Sequence, residues 1–319
     1  MYKMNKKTLI IAGSFAFVII ASSCNEDNPS AVEPPSNVDS EVYGTFRVSL
    51  IAPRESTQGY TSVLGLMYDG PTPSSIIWEE TASSGDCLLL EPRIPFCDPA
   101  CDNNYVCVED DECQPYPSAI NVGRVYVDGL DESFYMDPIN NYYQPSGGTI
   151  LPFESFAEGD DINFRADGSA SSPAFMVTGK GINPLDVIND DITLDGEPIR
   201  LEWTPPEQQG STTLTVVFDI SYHGGTRGKI VCETPDDGSE DVAGFLIDEL
   251  KALGISGFPK IEVTRKTTTT TESPIKVDIV VESLVTRILS IPGIISCNSD
   301  ADCPEGQFCA FDFRCREEG

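Results

Sequence analysis

Eleven cysteines constrain what this chain can fold into more than any other feature of its 319 residues. Most of them form two clusters with closely similar spacing, Cys97-x3-Cys101-x5-Cys107-x5-Cys113 and Cys297-x5-Cys303-x5-Cys309-x5-Cys315. Each cluster is too short to bury a hydrophobic core. We therefore interpret both as copies of one small module that disulfides hold together.

Four cysteines allow three pairings, and spacing does not choose among them. In each module we favour the first with the third and the second with the fourth, which are the pairs Cys97–Cys107, Cys101–Cys113, Cys297–Cys309 and Cys303–Cys315. Assigning four cysteines to each module leaves Cys87 and Cys232, which should then bond to each other. That bridge would tie an early strand to a late one, which favours one domain over two independent domains.

Residues 1–23 predict a secretory signal peptide. Lys3, Lys6 and Lys7 precede an uncharged apolar run over residues 8–21, and these are the positive and hydrophobic regions of such a signal. The run is shorter than the roughly 20 residues that a transmembrane helix needs. The signal directs the chain to an oxidising compartment, where paired cysteines are stable.

The sequence IASSC at residues 20–24 resembles the lipobox of bacterial lipoproteins, with Ala21 where leucine is commonest. The resemblance implies that Cys24 is lipidated, becomes the mature N-terminus and anchors the protein to a membrane. Ordinary signal cleavage is the alternative and would leave Cys24 as a free thiol. An odd cysteine count favours lipidation, because removing Cys24 leaves an even number that can pair completely. By that family's sorting rule, Asn25 permits the outer membrane.

Further segments resemble uncharacterised envelope lipoproteins of the myxobacterial type. They are the C-terminal run CNSDADCPEGQFC and the strand-and-turn runs at residues 158–166, 173–175, 201–205 and 230–232. These segments make up a minor part of the chain. The resemblance implies features of a fold and brings no activity, substrate or cofactor with it.

The formal charge of -31 limits the partners of this chain. Three of its 20 Lys and Arg residues lie in the signal, so the mature balance is 17 minus 51, or -34. A protein this acidic is repelled by phosphate backbones, and nucleic acid is therefore not an expected partner. The expected partners are a membrane, which the protein would contact through a lipid on Cys24, and an envelope protein or a glycan.

The rest of the sequence predicts a mainly β fold. Residues 24–41 are polar, acidic and proline-containing, which indicates a flexible tether. From residue 42 onward, short alternating runs stop at turn signals, and this pattern predicts an antiparallel β-sandwich of Ig-like or jelly-roll-like type. We expect the sandwich to span residues 42–296 with a Cys-rich insert at 97–113. A C-terminal Cys-rich module at 297–319 follows.

One α-helix is predicted near residues 240–253. Its apolar side chains recur at helical spacing, and Gly254 follows as a C-terminal glycine. Ser239 or Asp241 is the expected N-terminal cap. We attribute to the helix dipole the acids that crowd this start, Asp236, Asp237, Glu240 and Asp241.

A final hairpin is predicted after the helix. Its first strand contains Ile261, Val263 and Arg265, and its second strand begins at Ile275. The threonine run at residues 267–271 is expected to lead into its turn.

Metal sites compete with disulfides for the Cys clusters. Structural zinc favours Cys-x2-4-Cys knuckles, often with histidine, whereas the repeated spacing here is x5 and no histidine is near. Calcium is the other candidate, because acids surround the first cluster, but no EF-hand pattern is present. These acids are Asp98, Asp102, Glu109, Asp110, Asp111 and Glu112. We expect disulfides, with no metal and no cofactor.

No catalytic residue can be assigned from the sequence. His223, the only histidine, lies beside two glycines and is expected to be a turn residue, so a histidine-dependent nucleophile is not expected. A glycosidase needs only two carboxylates, and no spacing selects such a pair. Trp78, Trp203 and the tyrosines could stack on sugars, although we expect them in the core.

We therefore expect a lipid-anchored, non-enzymatic envelope protein that serves as a binding or structural module. A carbohydrate-binding or carbohydrate-active protein on the same scaffold is the alternative.

Overall fold

A mixed sheet of twelve strands forms the centre of the molecule, whose computed structural model describes residues 41–53, 57–139, 142–146, 149–220, 225–272 and 274–317. Its strands are β1 (Val42–Ile51), β2 (Tyr60–Tyr68), β3 (Ile77–Ser84), β4 (Cys87–Arg93), β9 (Pro138–Ile139), β10 (Tyr142–Tyr143), β11 (Leu151–Pro152), β14 (Ile192–Thr193), β16 (Thr213–Asp219), β17 (Lys229–Pro235), β19 (Lys260–Thr270) and β20 (Ile275–Ser290). The main path runs β3-β4-β17-β16-β19-β20-β1-β2-β10-β9, and β11 and β14 join it at β2 and β20.

Four smaller units complete the described β structure. A four-stranded sheet has the order β13-β12-β7-β8 and is formed by β7 (Val125–Asp128), β8 (Phe134–Met136), β12 (Asp161–Ala166) and β13 (Phe175–Lys180). Three strand pairs are β15 (Ile199–Glu202) with β18 (Ser239–Val242), β5 (Tyr105–Glu109) with β6 (Glu112–Pro115), and β21 (Gln307–Cys309) with β22 (Cys315–Glu317). The mainly β class is thus as predicted.

Alternation along the strands gives the main sheet one buried face and one open face. In β20, side chains at odd positions from Ile275 to Val285 are buried, and those at even positions are partly or fully exposed. Successive side chains of a strand point to opposite faces, so this strand has one buried face, which from Ile275 to Val285 is apolar except for Ser283. We name the opposite side the open face of the main sheet.

Two apolar clusters cover the buried face. The first lies between β1, β2, the start of β20 and the four-stranded sheet, where the rings of Phe46 and Phe164 stack with centroids 4.5 Å apart. The second lies between β4, β16, β17, β19 and the end of β20 on one side, and the β15–β18 pair and the helix on the other. Trp203 is 1% exposed in the second cluster, as expected.

Parallel pairing is a difference from the expected antiparallel arrangement. β1 lies parallel to β20 over nine residue pairs, from Val42 opposite Ile275 to Leu50 opposite Ser283. Parallel neighbours cannot be joined by a hairpin and need a long crossover. Here most of the folded chain lies between the two strands and forms that crossover. The alternation of residues within one strand does not indicate which distant strand pairs with it.

The helix α1 spans Gly244–Leu253, and Gly254 ends it as predicted. The expected start is wrong. Ser239 and Asp241 belong to β18, Ala243 is the N-cap, and the first turn contains no acid. Strand β18 pairs with β15 and occupies residues that a helical pattern alone would have included. Among the described residues, no helix is both long and apolar enough to cross a bilayer.

Asp236 has a different role from the predicted helix-dipole role. Its carboxylate is buried and forms an ion pair with Arg265 of β19, with 2.6 Å between Nε and Oδ2. The Nε1 of Trp203 donates to Oδ1 at 2.8 Å, and Thr212 Oγ1 donates to Oδ2 at 2.7 Å. Arg265 also donates to the backbone carbonyl of Thr204. Both charges are therefore hydrogen-bonded, as burial requires.

The ten described cysteines form the five disulfides favoured above. Cys87 and Cys232 lie directly opposite each other on β4 and β17 and are fully buried. In the modules, the third and fourth cysteines face each other across a hairpin, Cys107 opposite Cys113 and Cys309 opposite Cys315. Each hairpin is bonded to the preceding cysteines in the order first with third and second with fourth.

The C-terminal module packs directly against the main body. The amide of Gly257 donates to the carbonyl of Asp312 at 2.8 Å, and the amide of Cys315 donates to the carbonyl of Ile295 at 2.9 Å. A Cβ on Gly257 would lie 2.0 Å from the carbonyl oxygen of Phe313. Glycine at this position therefore permits the close approach of the two backbones.

We expect Gly257→Ala to separate the module from the body and to lower the free energy of unfolding by about 1–3 kcal/mol through overpacking. Hydrogen exchange at the Cys315 amide, which donates to the carbonyl of Ile295, should become faster. Gly70→Ala is the control, because a Cβ there has its nearest neighbour at 3.6 Å. Equal stability of the two variants would contradict the close-packing account.

Candidate functional site

A groove on the open face of the main sheet is the candidate functional site. It has a volume of about 460 Å³ and lies between β1, β2 and the start of β20, beside the turn that follows β2. Its lining residues are Tyr43, Gly44, Thr45, Arg47, Leu64, Leu66, Tyr68, Gly70, Pro71, Thr72, Lys276 and Asp278. We name this site the open-face groove.

Strand register brings its aromatic residues together. Tyr43 of β1 lies directly opposite Tyr68 of β2, and Thr45 lies opposite Leu66. Each pair shares one face, because residues opposite each other in antiparallel strands point to the same side. Two half-buried tyrosines and the side chains of Leu64 and Leu66 therefore give the groove an apolar surface with phenol groups at one end.

A chain of polar contacts holds Tyr43 in position. Its hydroxyl donates to the carboxylate of Glu41 and accepts from Lys276 Nζ at 2.8 Å. Lys276 also donates to Glu41 at 3.1 Å. The pKa of the Lys276 ammonium is raised above its ordinary value. The hydrogen bond to Tyr43 is the largest cause, and the hydrogen bond to Glu41 is the second. Lys276 therefore stays protonated, and its charge has a partner.

The second cation of the groove is also paired. Arg47 donates to Glu282 on the neighbouring β20, and Ser49 Oγ donates to the same carboxylate at 2.8 Å. Asp278, the lining carboxylate, accepts from Thr270 Oγ1 at 2.6 Å. Among the residues lining the groove, Asp278 is the only carboxylate. Glu282 and Glu41 pair with the two cations, so the lining itself offers one carboxylate, whereas glycoside hydrolysis uses two.

The turn beside the groove is fixed to the rest of the molecule. Asp69 donates its amide to the carbonyl of Ser118 at 3.0 Å and accepts from the amide of Ser118 at 2.6 Å. Tyr68 also bridges to Ala119. The loop that carries Gly70 to Thr72 is therefore held at its start, where it forms one wall of the groove.

A second cavity, of about 720 Å³, lies where the four-stranded sheet meets the loop before β12. Four acids line it, namely Asp131, Glu154, Asp160 and Asp161. Asp160 accepts from the amide of Ala157 at 2.8 Å, and Asp161 pairs with Lys180 at 2.5 Å. These contacts order the loop, and we assign no ligand to this cavity.

The acids of the first Cys module contact the module itself. Asp110 accepts from the amide of Phe96 at 2.9 Å and from Arg93 at 3.0 Å. The Phe96 amide is the largest cause that lowers the pKa of Asp110, and Arg93 adds to it. Asp111 accepts from the amide of Asp98. Hydrogen bonding within the module therefore accounts for two of the acids that had suggested calcium.

Cysteine groups with metal-like geometry occur in both modules. Sulfur atoms of Cys97, Cys101 and Cys113 lie within 4.8 Å of one another, and the second module contains a matching group. All these sulfurs belong to disulfides. Zinc binds thiolates, so these groups could serve as zinc ligands only after reduction.

The residues singled out from the sequence have different outcomes. Cys24 and His223 lie outside the described residues. Trp78 is half-buried on the open face, with Lys229 Nζ 3.9 Å from its ring centroid, so it is not a core residue. The tyrosines were considered only as a class, and the cations of the open-face groove were not singled out, because the pairing of β1 with both β2 and β20 brings these residues together. The sequence did contain one signal. These residues occupy alternate positions of strands whose intervening positions are apolar, so they should share the exposed face.

Comparison with known proteins identifies no family. A scan against protein-family models finds none that matches this chain. A search of curated proteins likewise finds no match. The resemblance to myxobacterial-type lipoproteins therefore remains a prediction.

Proposed function

We propose that this chain is a lipid-anchored, non-enzymatic binding protein of the bacterial cell envelope, with its ligand site in the open-face groove. The observation that supports binding is the groove itself, which has rigid strand walls, an apolar surface and fixed polar groups. Ligand sites have these properties in general. The single lining carboxylate supports a binding role over hydrolysis.

The proposed anchor depends on the sequence. The signal-like residues 1–23, the lipobox-like IASSC and the odd cysteine count all favour lipidation at Cys24. The acidic, proline-containing residues that follow would hold the folded body away from the membrane. The outer membrane is the proposed location, through the sorting rule applied to Asn25.

We expect the membrane-extracted protein to have the mass of a chain that starts at an acylated Cys24 and to react with no thiol-alkylating reagent. The reason is that ten cysteines are paired and the eleventh carries lipid. Intact mass spectrometry, with alkylation under non-reducing conditions, measures both properties together. Cys24→Ser is the control and should lack the acyl mass. An unacylated wild-type chain with one alkylated thiol would contradict the anchor.

A further inference from the structure

We propose that the open-face groove binds a neutral saccharide, an inference that rests on the proposed binding function and names its ligand class. The argument uses the three kinds of surface in the groove, which are aromatic rings, aliphatic side chains and paired charges. A volume of about 460 Å³ is suited to a small ligand or to a short segment of a longer chain.

The aromatic surface matches the carbon faces of a sugar ring. Tyr43 and Tyr68 face the same side of adjacent strands, and Leu66 lies next to them on β2. Tyrosine combines a large apolar body with a polar hydroxyl and loses little side-chain entropy on binding. Because Lys276 and Glu41 already hold the Tyr43 hydroxyl, this ring is in place before a ligand arrives.

The charges of the groove favour a neutral ligand. Arg47 and Lys276 pair with Glu282 and Glu41, and Asp278 adds a further negative charge. Two cations against three carboxylates leave no positive surplus for an anion. The formal charge of -31 on the whole chain further disfavours a polyanion.

Hydroxyl groups suit such paired charges. A hydroxyl both donates and accepts hydrogen bonds, so one sugar can donate to a carboxylate and accept from a neighbouring cation without breaking the ion pair. The guanidinium of Arg47 keeps donors available, because its side chain is 48% exposed. Thr45 and Thr72 add hydroxyl groups at the wall. Only a ligand with several hydroxyls would use all of these groups.

Glycan binding by the full-length, detergent-extracted protein tests the proposal. The probe is an array of neutral and acidic oligosaccharides, followed by calorimetric titration of the best neutral binder. We expect Tyr68→Ala to weaken its affinity at least about tenfold, and Tyr68→Phe to keep most of the affinity because the ring is retained. Tyr60→Ala is the matched control. Tyr60 lies on the same strand, is 44% exposed and is outside the groove.

Binding of a neutral glycan that Tyr68→Ala alone removes would support the proposal. Preference for acidic glycans, equal loss in Tyr68→Ala and Tyr60→Ala, or binding of no glycan would overturn it. If Tyr68→Ala fails to fold, Tyr68→Leu takes its place, because leucine keeps apolar volume, removes the ring and should weaken the affinity similarly.

Photo-crosslinking in the cell envelope separates this inference from the proposed function. A photoreactive residue placed at Thr72, on the wall of the groove, would form adducts with whatever occupies it. A protease-resistant, glycosidase-sensitive adduct supports the saccharide. An adduct that proteases digest overturns the saccharide and leaves the binding function standing. Absence of any adduct overturns both.

Discussion

Replacing Arg265 with methionine should lower the free energy of unfolding by about 3–5 kcal/mol, because it leaves a buried carboxylate without its counter-charge. The side chains of Arg265 and Asp236 are 1% and 0% exposed, so water cannot stabilise the remaining charge. Asp236 would retain hydrogen bonds only from the neutral donors Trp203 and Thr212. Methionine preserves most of the apolar volume of the arginine side chain. The loss of unfolding free energy therefore reports the removal of the positive charge and its hydrogen bonds.

The effect should extend beyond the pair. Trp203 is the largest fully buried side chain, and its indole nitrogen donates to Asp236. Arg265 also donates to the carbonyls of Thr204 and Pro184, which lie on the covering layer of the second core. The ion pair therefore connects the main sheet to the loops packed over it. We expect faster hydrogen exchange around Trp203 in Arg265→Met.

Urea unfolding with intact disulfides measures the change, and two variants control it. Arg200→Met removes a cation whose pairing with Asp241 is solvent-exposed, and it should change the stability far less than Arg265→Met does. The double variant Arg265→Met with Asp236→Leu should recover much of the lost stability, because it removes the unpaired charge. If Arg265→Met costs no more than Arg200→Met, the buried pair does not hold the two layers together.

Local patterns predicted the parts of this fold that depend on local chemistry. Alternation of apolar and polar residues identified the strands, and Gly254 identified the end of the helix. Both signals are local, because the side of a strand to which a side chain points and the backbone conformation that ends a helix depend on only a few neighbouring residues. Alternation also placed Arg265 in line with Ile261 and Val263, all three of which are buried. A charged residue at an inward position was a signal for a buried partner, and the sequence analysis did not use it.

Features that depend on distant partners could not be predicted in the same way. Asp236 lies close in sequence to the helix, which suggested a dipole role, yet its partners Arg265 and Trp203 lie about 30 residues away on either side. The open-face groove likewise depends on β1 lying between β2 and β20. No periodicity within one strand reports which strand becomes its neighbour.

The second large effect should come from removing the Cys87–Cys232 bridge. In the chain-entropy model, a crosslink between residues 145 apart contributes about 4–5 kcal/mol by restricting the unfolded chain. The double variant Cys87→Ala with Cys232→Ala should lose about that amount. Both side chains are fully buried on adjacent strands, so lost packing adds to the cost. Urea unfolding of the two chains under non-reducing conditions gives the difference.

The matched control is Cys303→Ala with Cys315→Ala, which opens a bridge across a separation of 12. The same model gives about 3 kcal/mol for a loop of this size, and its effect should be largest in the C-terminal module because β21 and β22 form a separate two-stranded sheet. The long bridge instead links β4 to β17 within the main sheet, so its loss should lower protection in both strands. If the two double variants lose the same free energy of unfolding, and each loses protection only near its own disulfide, the Cys87–Cys232 bridge does not stabilise the sheet. In that case the buried apolar face alone would hold the early and late strands together.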